Sequence, residues 1–404
     1  MAQLLSFRIR NYRSFYSEQV LRFGDDFARA ATVIFGPNAG GKSNTAKAIN
    51  TFRYIISNSA NANYTLPYDP FLLRERADSE DTSFEAEFIS GNRIFTYRIS
   101  YNAIQITSEV LKVKSEKVNR MQTIFERDKS GIVNQSAVKF GFGKRLLDKT
   151  RKDTLLITKA REDNNKFANI VFDLVNSIFV ISGDMQFYTI AIDMLRINPR
   201  LKTRAVEMLK ACDFAIRGIK IEDVAVAEDA FHGRVYPEEF KRDAIQNGFT
   251  SVFTAHAIRD ADRKVIGMRD FNLDHQESMG TKKFFEVIIP IISALEFGGT
   301  VYIDEFGAFF HPMLATTIIE LFKSNNEKGA SLILNSHNTA ILSVPGLARD
   351  DVLFVSRNLG EESVVESLSK KAVRENESFE KRYREGLYGA IPIISENSLQ
   401  EYIQ

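Results

Sequence analysis

Ala31-Thr32-Val33-Ile34-Phe35-Gly36-Pro37-Asn38-Ala39-Gly40-Gly41-Lys42-Ser43 is the stretch on which the fold turns. Its first five residues form a short apolar run that stops at glycine, as a buried parallel strand does before its loop. The next eight fit G-x-x-x-x-G-K-[ST]. Glycines at Gly36, Gly40 and Gly41 let the backbone curl so that its N–H groups converge on phosphate oxygens. A helix after the loop offers its positive N-terminal end to the same anion. A helical pattern does follow, from about Asn44 to Ser57, with Ala46, Ile49, Phe52 and Ile56 on one face. The expectation is a phosphate cradle in which Lys42 reaches the β and γ phosphates of ATP and Ser43 presents its hydroxyl to Mg²⁺.

On the N-terminal side, Leu4, Phe7 and Ile9 and then Val20 to Phe23 read as strands. Beyond the helix, Phe84, Ala86 and Phe88 alternate with Glu85 and Glu87, a Gly91-Asn92 turn leads into a second alternating stretch, Ile94 to Ile99, and another turn signal falls at Asp128–Gly131. Period two with turn residues between predicts an antiparallel β lobe. Residues 150–220 carry apolar residues at helical spacing, over Asn164–Ile178 and Arg200–Ile216. From about 282, helix and strand alternate through Phe284–Leu295, Thr300–Ile303, Leu314–Lys323, Ala330–Leu334 and Val352–Val355. That order predicts a parallel α/β sheet. The fold class expected is therefore α/β, a P-loop NTPase head with an antiparallel β lobe and a helical insertion. Its parts are the N-terminal half of the head (1–80), the β lobe (81–145), the helical insertion (146–265) and the C-terminal half of the head (266–404).

Three further elements carry chemistry. Val301-Tyr302-Ile303-Asp304-Glu305 is an apolar strand ending in adjacent acids. Consecutive strand residues point to opposite faces, so Asp304 is expected to hold Mg²⁺ and Glu305 to face the water that attacks the γ phosphate. Glu277-Ser278-Met279-Gly280-Thr281 precedes a helix and places a hydroxyl and free amides at its N-terminus, a second anion site. A chain that already has one phosphate cradle has an economical use for another: Ser278 and Gly280 serve the ATP of a second subunit. Asn335-Ser336-His337 follows the strand Ser331–Leu334, and a histidine at that sheet edge can donate to the γ phosphate.

Bulk composition narrows the classes. Of 404 residues, 44% are hydrophobic and 26% charged, enough apolar surface for a core of ordinary size. The net charge of +1 gives no global pull toward nucleic acid or membrane. Basic residues gather at Lys144, Arg145, Lys149, Arg151 and Lys152 and at Lys381, Arg382 and Arg384, yet acids interleave both groups, so a solvated face is the default and DNA binding the alternative. The single cysteine, Cys212, excludes an intramolecular disulfide and fits a reducing cytoplasmic setting, with a small core residue as its expected role. Arg8, Arg10 and Arg13 interrupt the first apolar stretch, against a secretory leader, and the run Phe284–Leu295 is shorter than the roughly 20 residues that span a bilayer. The five histidines, at 232, 256, 275, 311 and 337, show no metal-ligand spacing.

The four elements in this order resemble the heads of ABC-type ATPases, in the branch that holds SMC, RecF and OLD-like proteins. The opening Ile9-Arg10-Asn11-Tyr12-Arg13-Ser14-Phe15 is similar to that branch's first strand and turn, Asn38 and Asn44 occupy family positions in the P-loop, and Phe310-His311-Pro312 is similar to its S-L-H-P. The tail Tyr383…Gly386-Leu387-Tyr388-Gly389-Ala390-Ile391-Pro392 resembles the RloA-like prokaryotic ATPases associated with antiphage defence. The likeness covers both ends and thins from about 115 to 265.

The resemblance implies a homodimer of heads that sandwich ATP between the P-loop of one subunit and Ser278–Gly280 of the other, with Arg13 touching the nucleotide. It implies slow hydrolysis coupled to opening, and a role as the sensor ATPase of a defence system that restrains or releases an effector, a nuclease or toxin, encoded by a neighbouring gene. A RecF-like DNA repair clamp is the alternative. Departures from the family pattern stand at Phe306-Gly307-Ala308-Phe309-Phe310, at Pro290 inside the helix after the signature, and at the Mg²⁺-linked glutamine, for which only Gln105 and Gln122 come under consideration. The roughly sixty residues after Leu342 leave no room for the TOPRIM nuclease domain of OLD proteins, and no sustained heptads support an SMC-type coiled-coil arm.

Overall fold

The structure, a computed structural model, describes residues 2–115, 118–132, 134–182, 186–224, 248–307, 311–324, 326–371 and 378–388. It divides into two compact units, one of residues 1–183 with 294–404 and the other of residues 184–293.

The first unit is built on two sheets. The strands are β1 (Ala2–Arg10), β2 (Gln19–Arg22), β3 (Ala31–Phe35), β4 (Thr82–Ser90), β5 (Arg93–Tyr101), β6 (Ile106–Ser115), β7 (Val118–Asp128), β8 (Gly131–Ile132) and β9 (Ile178–Ile181), then β13 (Thr300–Ile303), β14 (Ser331–Asn335), β15 (Val352–Arg357) and β16 (Ser363–Ser367). The second unit supplies β10 (Ile216–Val224), β11 (Phe249–Arg259) and β12 (Val265–Asn272).

A seven-stranded antiparallel sheet runs β2-β1-β4-β5-β6-β7-β8, and a six-stranded sheet runs β16-β15-β3-β14-β13-β9. In the latter, β15, β3, β14, β13 and β9 are parallel and β16 pairs antiparallel at the edge. The P-loop helix Lys42–Asn58 packs against both sheets. Phe52 meets Phe7 and Tyr97 of the antiparallel sheet at ring-centroid distances of 5.4 and 6.0 Å. Thr45 Oγ1 is hydrogen-bonded to the hydroxyl of Tyr302 in β13. Ala46, Ile49, Phe52 and Ile56, the face that the sequence periodicity selects, are buried with Ile34, Phe84, Tyr302 and Ile333 in one core cluster. This core fixes the helix in front of β3, and so fixes the loop between them.

Two expectations about organisation need correction. The antiparallel lobe is not confined to 81–145. β1 enters it from the N-terminal segment, pairing with β4 over Ala2–Arg10, because Phe7 and Ile9 find their apolar partners in Phe84 and Phe52 rather than in the parallel sheet. Nor is 146–265 a helical lobe throughout. Helices Leu156–Glu162, Lys166–Asn176, Gln186–Ile197 and Pro199–Ala211 are present, but β9 falls among them and joins the parallel sheet beside β13. β10 and β11 add strands that, with β12, make a three-stranded antiparallel sheet in the second unit.

Helix Met279–Phe297 runs through Pro290. Proline costs such a helix one backbone hydrogen bond; the flanking Ile288, Ile289, Ile291 and Ile292 are all buried. Among the described residues no helix is long and apolar enough to cross a membrane. Cys212 is half-buried at the end of helix Pro199–Ala211. Arg151 and Arg384 of the two basic groups bond to the chain itself, Arg151 to the carbonyls of Ser59 and Asn61 at 3.0 and 2.9 Å, and Arg384 to Glu380 at 3.0 Å.

A buried charge network ties the antiparallel sheet to helix Leu156–Glu162. The Glu109 carboxylate, 0% exposed, accepts from Tyr97 Oη at 2.8 Å, Arg127 Nε at 2.8 Å and the amides of Leu156 and Ile157 at 2.7 and 2.9 Å. Arg127 also donates to the Thr154 carbonyl at 2.6 Å. Removing one member of such a pair strands the other in a dry core. Glu109→Ala is therefore expected to lower stability by about 3–5 kcal/mol in urea unfolding, whereas Glu109→Leu combined with Arg127→Met recovers only the part due to the stranded charge, because Tyr97 Oη and the amides of Leu156 and Ile157 still lack their acceptor. A single-variant loss below about 1 kcal/mol, the ceiling for an exposed pair, would show that the pair contributes no more than a surface contact.

Candidate functional site: a P-loop cleft

The loop Gly36–Gly41 sits at the carboxyl end of β3, between β15 and β14, where ligands of open parallel sheets bind. Its curvature is dictated by close approach. A Cβ on Gly36 would lie 1.9 Å from the Val355 carbonyl oxygen of β15. One on Gly41, whose φ is +109°, would lie 2.1 Å from Ser363 Oγ of β16. Glycine is required at both for steric reasons. The loop is also pinned from outside. Ser363 Oγ donates to the Gly40 carbonyl at 2.7 Å and lies 2.8 Å from Ser14 Oγ, while Asn44 Nδ2 donates to Ser14 Oγ at 2.8 Å.

A cleft of about 370 Å³ opens over the loop. It is lined by Asn38 through Asn44, by Asp304, Glu305, Asn335 and His337, and by Arg357. Of the residues singled out in the sequence, the structure thus brings together Asn38, Gly40, Gly41, Lys42, Ser43, Asn44, Asp304, Glu305 and His337. Gly36 lies just outside, its carbonyl accepting from Lys42 Nζ at 2.8 Å, with the Pro37 carbonyl accepting from the same ammonium at 2.9 Å. Burial holds the Lys42 ammonium down at about pKa 8, against a counter-pull from Asp304 and Glu305.

Ser43 Oγ is 3.2 Å from Asp304 Oδ1, and Asn335 Nδ2 donates to that same oxygen at 2.7 Å and to the Lys42 carbonyl at 2.9 Å. Asn335 Oδ1 accepts from the Tyr302 hydroxyl at 2.9 Å. A hydroxyl and a carboxylate at this separation form a hard oxygen pair of the kind Mg²⁺ takes beside phosphate oxygens and water. Glu305 is exposed in the cleft at φ +57°, a left-handed conformation that costs a non-glycine residue roughly 1–2 kcal/mol. His337 follows β14, and its imidazole pKa is lowered, first by desolvation and then by the Lys42 charge, which disfavours the charged ring.

Arg13 lies in a neighbouring cleft of about 260 Å³, with Ser14, Asn44, Asp69, Leu72, Leu73, Arg357 and Glu361 among its lining. Its guanidinium contacts Asp69 at 2.6 Å. Ser278 and Gly280 belong to the second unit. There Ser278 Oγ accepts from the Thr281 amide at 3.1 Å at the start of helix Met279–Phe297. Glu277 beside it is 2.6 Å from His256 Nε2. Gln105 precedes β6 and Gln122 lies in β7, and neither lines the P-loop cleft. Residues 308–310, 389–392 and His232 lie outside the described residues.

Sequence reasoning passed over three contributors. The motif Asn335-Ser336-His337 predicts no role for Asn335, although its buried amide joins strand, acid and helix. Ser363 and Arg357 carry no local signal, since only the fold brings Ser363 to Ser14 and Gly40 and brings Arg357 to the cleft.

A phosphate-cradling glycine loop on a parallel strand, backed by an acid pair on another, defines the P-loop NTPases. The family model described as "AAA domain, putative AbiEii toxin, Type IV TA system" matches residues 31–168 and 240–343, and the chain belongs to that family. Solved structures of similar outline are heads of SMC proteins. One, an SMC head bound to the C-terminal winged-helix domain of ScpA, has 12% identity and a TM-score of 0.49, with 94% of this chain and 99% of that one covered. An SMC head domain from Thermotoga maritima has 15% identity and a TM-score of 0.39, with 90% and 98% covered. An Smc head with an extended coiled coil, bound to the C-terminal domain of ScpA derived from Pyrococcus furiosus, has 11% identity and a TM-score of 0.37, with 95% and 98% covered. No curated protein matches the chain.

The Lys42 geometry has a consequence for pH. Its pKa falls on folding from the ordinary 10.5 to about 8, so burying the charged form costs stability. That cost is fully present below pH 8 and fades as pH rises from about 8 toward 10.5, because the folded state then releases the proton first. Lys42→Met is expected to be more stable than the native chain at pH 7, and the gap to narrow by pH 9.5. Urea midpoints for both proteins at the two pH values check this, and a constant gap would contradict it.

Proposed function

We propose that this chain is an ATP-hydrolysing head that works as a homodimer, and that its nucleotide state controls a partner protein in a defence or toxin–antitoxin setting. The observation that carries the enzymatic part is the set Lys42, Ser43, Asp304, Asn335, Glu305 and His337 around one cleft. In this reading Lys42 leaves the carbonyls of Gly36 and Pro37 to bind the β and γ phosphates. Ser43 and Asp304 hold Mg²⁺, which supplies charge neutralisation on the phosphates. Glu305 accepts the proton of the attacking water. His337 donates to the γ phosphate as charge builds there. Asn335 keeps Asp304 oriented and takes no part in proton transfer.

Ser278 and Gly280 then serve the nucleotide of a second copy. Supporting this is the local geometry of a hydroxyl-capped helix N-terminus, which attracts anions. The regulatory part rests on the family's description as a putative AbiEii toxin of a type IV toxin–antitoxin system, together with the RloA-like tail. Its partner is an effector protein from an adjacent gene, and the setting is cytoplasmic.

Glu305→Gln separates binding from chemistry. ATP affinity is expected to stay within a few-fold, while phosphate release falls at least about a hundredfold, the usual scale for loss of a general base. Light scattering should find a dimer with ATP and a monomer without it. Undiminished turnover would remove Glu305 as the base, and a monomer at saturating ATP would remove the two-copy arrangement.

A further inference from the structure

Arg357 is the charged residue at the P-loop cleft that no motif explains. It ends β15, the strand whose Val355 carbonyl crowds Gly36 and Gly40, so its backbone is locked to the loop. It lines both the P-loop cleft and the neighbouring cleft that holds Arg13, and among the described residues only Asn44 shares that property. The acid pair Asp304 and Glu305 and the ammonium of Lys42 line the first cleft alone. The two clefts therefore meet at Asn44 and Arg357, on the side of the phosphate cradle that does not carry the acids.

The charge state at this junction favours an incoming anion. Arg357 Nη1 is 3.0 Å from Glu361 Oε2, in the turn between β15 and β16. That pair is exposed, at 43% and 62% for its two side chains, so water screens it and it contributes little. Arg13 makes a shorter pair with Asp69 at 2.6 Å, its side chain less exposed at 36%, and its main-chain amide donates to the Asp69 carbonyl at 2.8 Å. A guanidinium held by a weak, exchangeable carboxylate beside a phosphate cradle suits bidentate capture of a phosphate group.

We infer that Arg357 is a nucleotide-binding residue that grips the α phosphate, at the junction between the phosphate cradle and the Arg13 cleft, which then takes the nucleoside, and that Glu361 is its exchangeable counter-ion. The inference rests on the ATP-binding reading of the P-loop. Lys42 and Arg357 then divide the triphosphate: the lysine takes the β and γ groups, and the arginine takes the group shared by AMP, ADP and ATP. Arg357 discriminates nucleotide from nucleoside and is blind to the number of phosphates beyond the first.

The test is competition of AMP, ADP and ATP against a fluorescent ATP analogue on the full chain. Arg357→Ala is expected to weaken all three by a similar factor of about tenfold, the scale of one charge-assisted hydrogen bond. Glu361→Gln is expected to tighten all three by at most about fivefold, because it frees the arginine. Lys42→Ala is expected to weaken ATP and ADP far more than AMP. Unchanged AMP affinity in Arg357→Ala, or a loss confined to ATP, overturns the assignment of Arg357. Unchanged ATP affinity in Lys42→Ala overturns the P-loop reading itself, whatever Arg357 does. Both Arg357 and Glu361 are exposed, so unfolding midpoints matching the native chain accompany a valid result.

Discussion

The Asn335 side-chain amide is the junction on which the site depends. It is buried at 1% exposure, at the end of β14, and all its bonds cross between elements. Its NH₂ group reaches the Lys42 carbonyl in the P-loop helix and the Asp304 carboxylate after β13, and its oxygen takes the Tyr302 hydroxyl, itself bonded to Thr45 of the same helix. Burial makes this arrangement all-or-none. An amide with one partner missing would leave a dry polar group costing about 1–3 kcal/mol, so the strand carrying the acids and the helix carrying the lysine are held in register. The 3.2 Å separation of Ser43 and Asp304 is a consequence of that register rather than of their own weak contact.

The same logic extends outward through the hairpin β15–β16. Its Val355 carbonyl and Ser363 hydroxyl occupy the space where side chains on Gly36 and Gly41 would have to go. Ser363 also touches Ser14, from the first turn of the chain, whose own tight geometry places Asn11 and Arg13 at positive φ. Asn11 stabilises that turn by donating to the carbonyls of Ala77 and Glu80 at 2.8 and 2.9 Å. Segments near 14, 40 and 363 thus close on one another, and the cradle's shape is set by residues more than three hundred positions apart.

This explains what was legible in the sequence. The strand–loop–helix at 31–58 could be read because its signals are local: an apolar run, glycines, and a 3.6 period whose predicted face is the buried one. Asp304 and Glu305 could be read for the same reason. β9 could not. Its four residues Ile178–Ile181 follow a helix with only Ser177 between, and neither glycine nor proline marks the change from period 3.6 to an extended run. β1 could be read as a strand, but its sheet is decided by Phe84 and Phe52, which lie far along the chain. Asn335 and Arg357 stayed silent for a further reason. A buried crosslink and a strand-end cation have no spacing rule, and only the assembled sheet brings them to the cleft.

The site also departs from what local stability favours, and the departures converge. Lys42 is buried with carbonyl rather than carboxylate hydrogen-bond partners, and burial lowers its pKa to about 8. Glu305 holds a left-handed backbone that glycine would occupy freely. Arg357 is matched only to an exposed, screened carboxylate. Each is a local conflict of the kind that persists where surrounding structure over-determines the geometry. Chemically they ask for one complement: an extended polyanion that gives the Lys42 ammonium acceptors stronger than two carbonyls, brings a reacting centre to Glu305 and outcompetes Glu361 at Arg357. A monovalent anion would relieve one conflict. A polyphosphate carries enough charge to meet both Lys42 and Arg357, the two cations among the described residues that line this cleft, which is the physical reason to favour a nucleotide over a simple phosphate ligand.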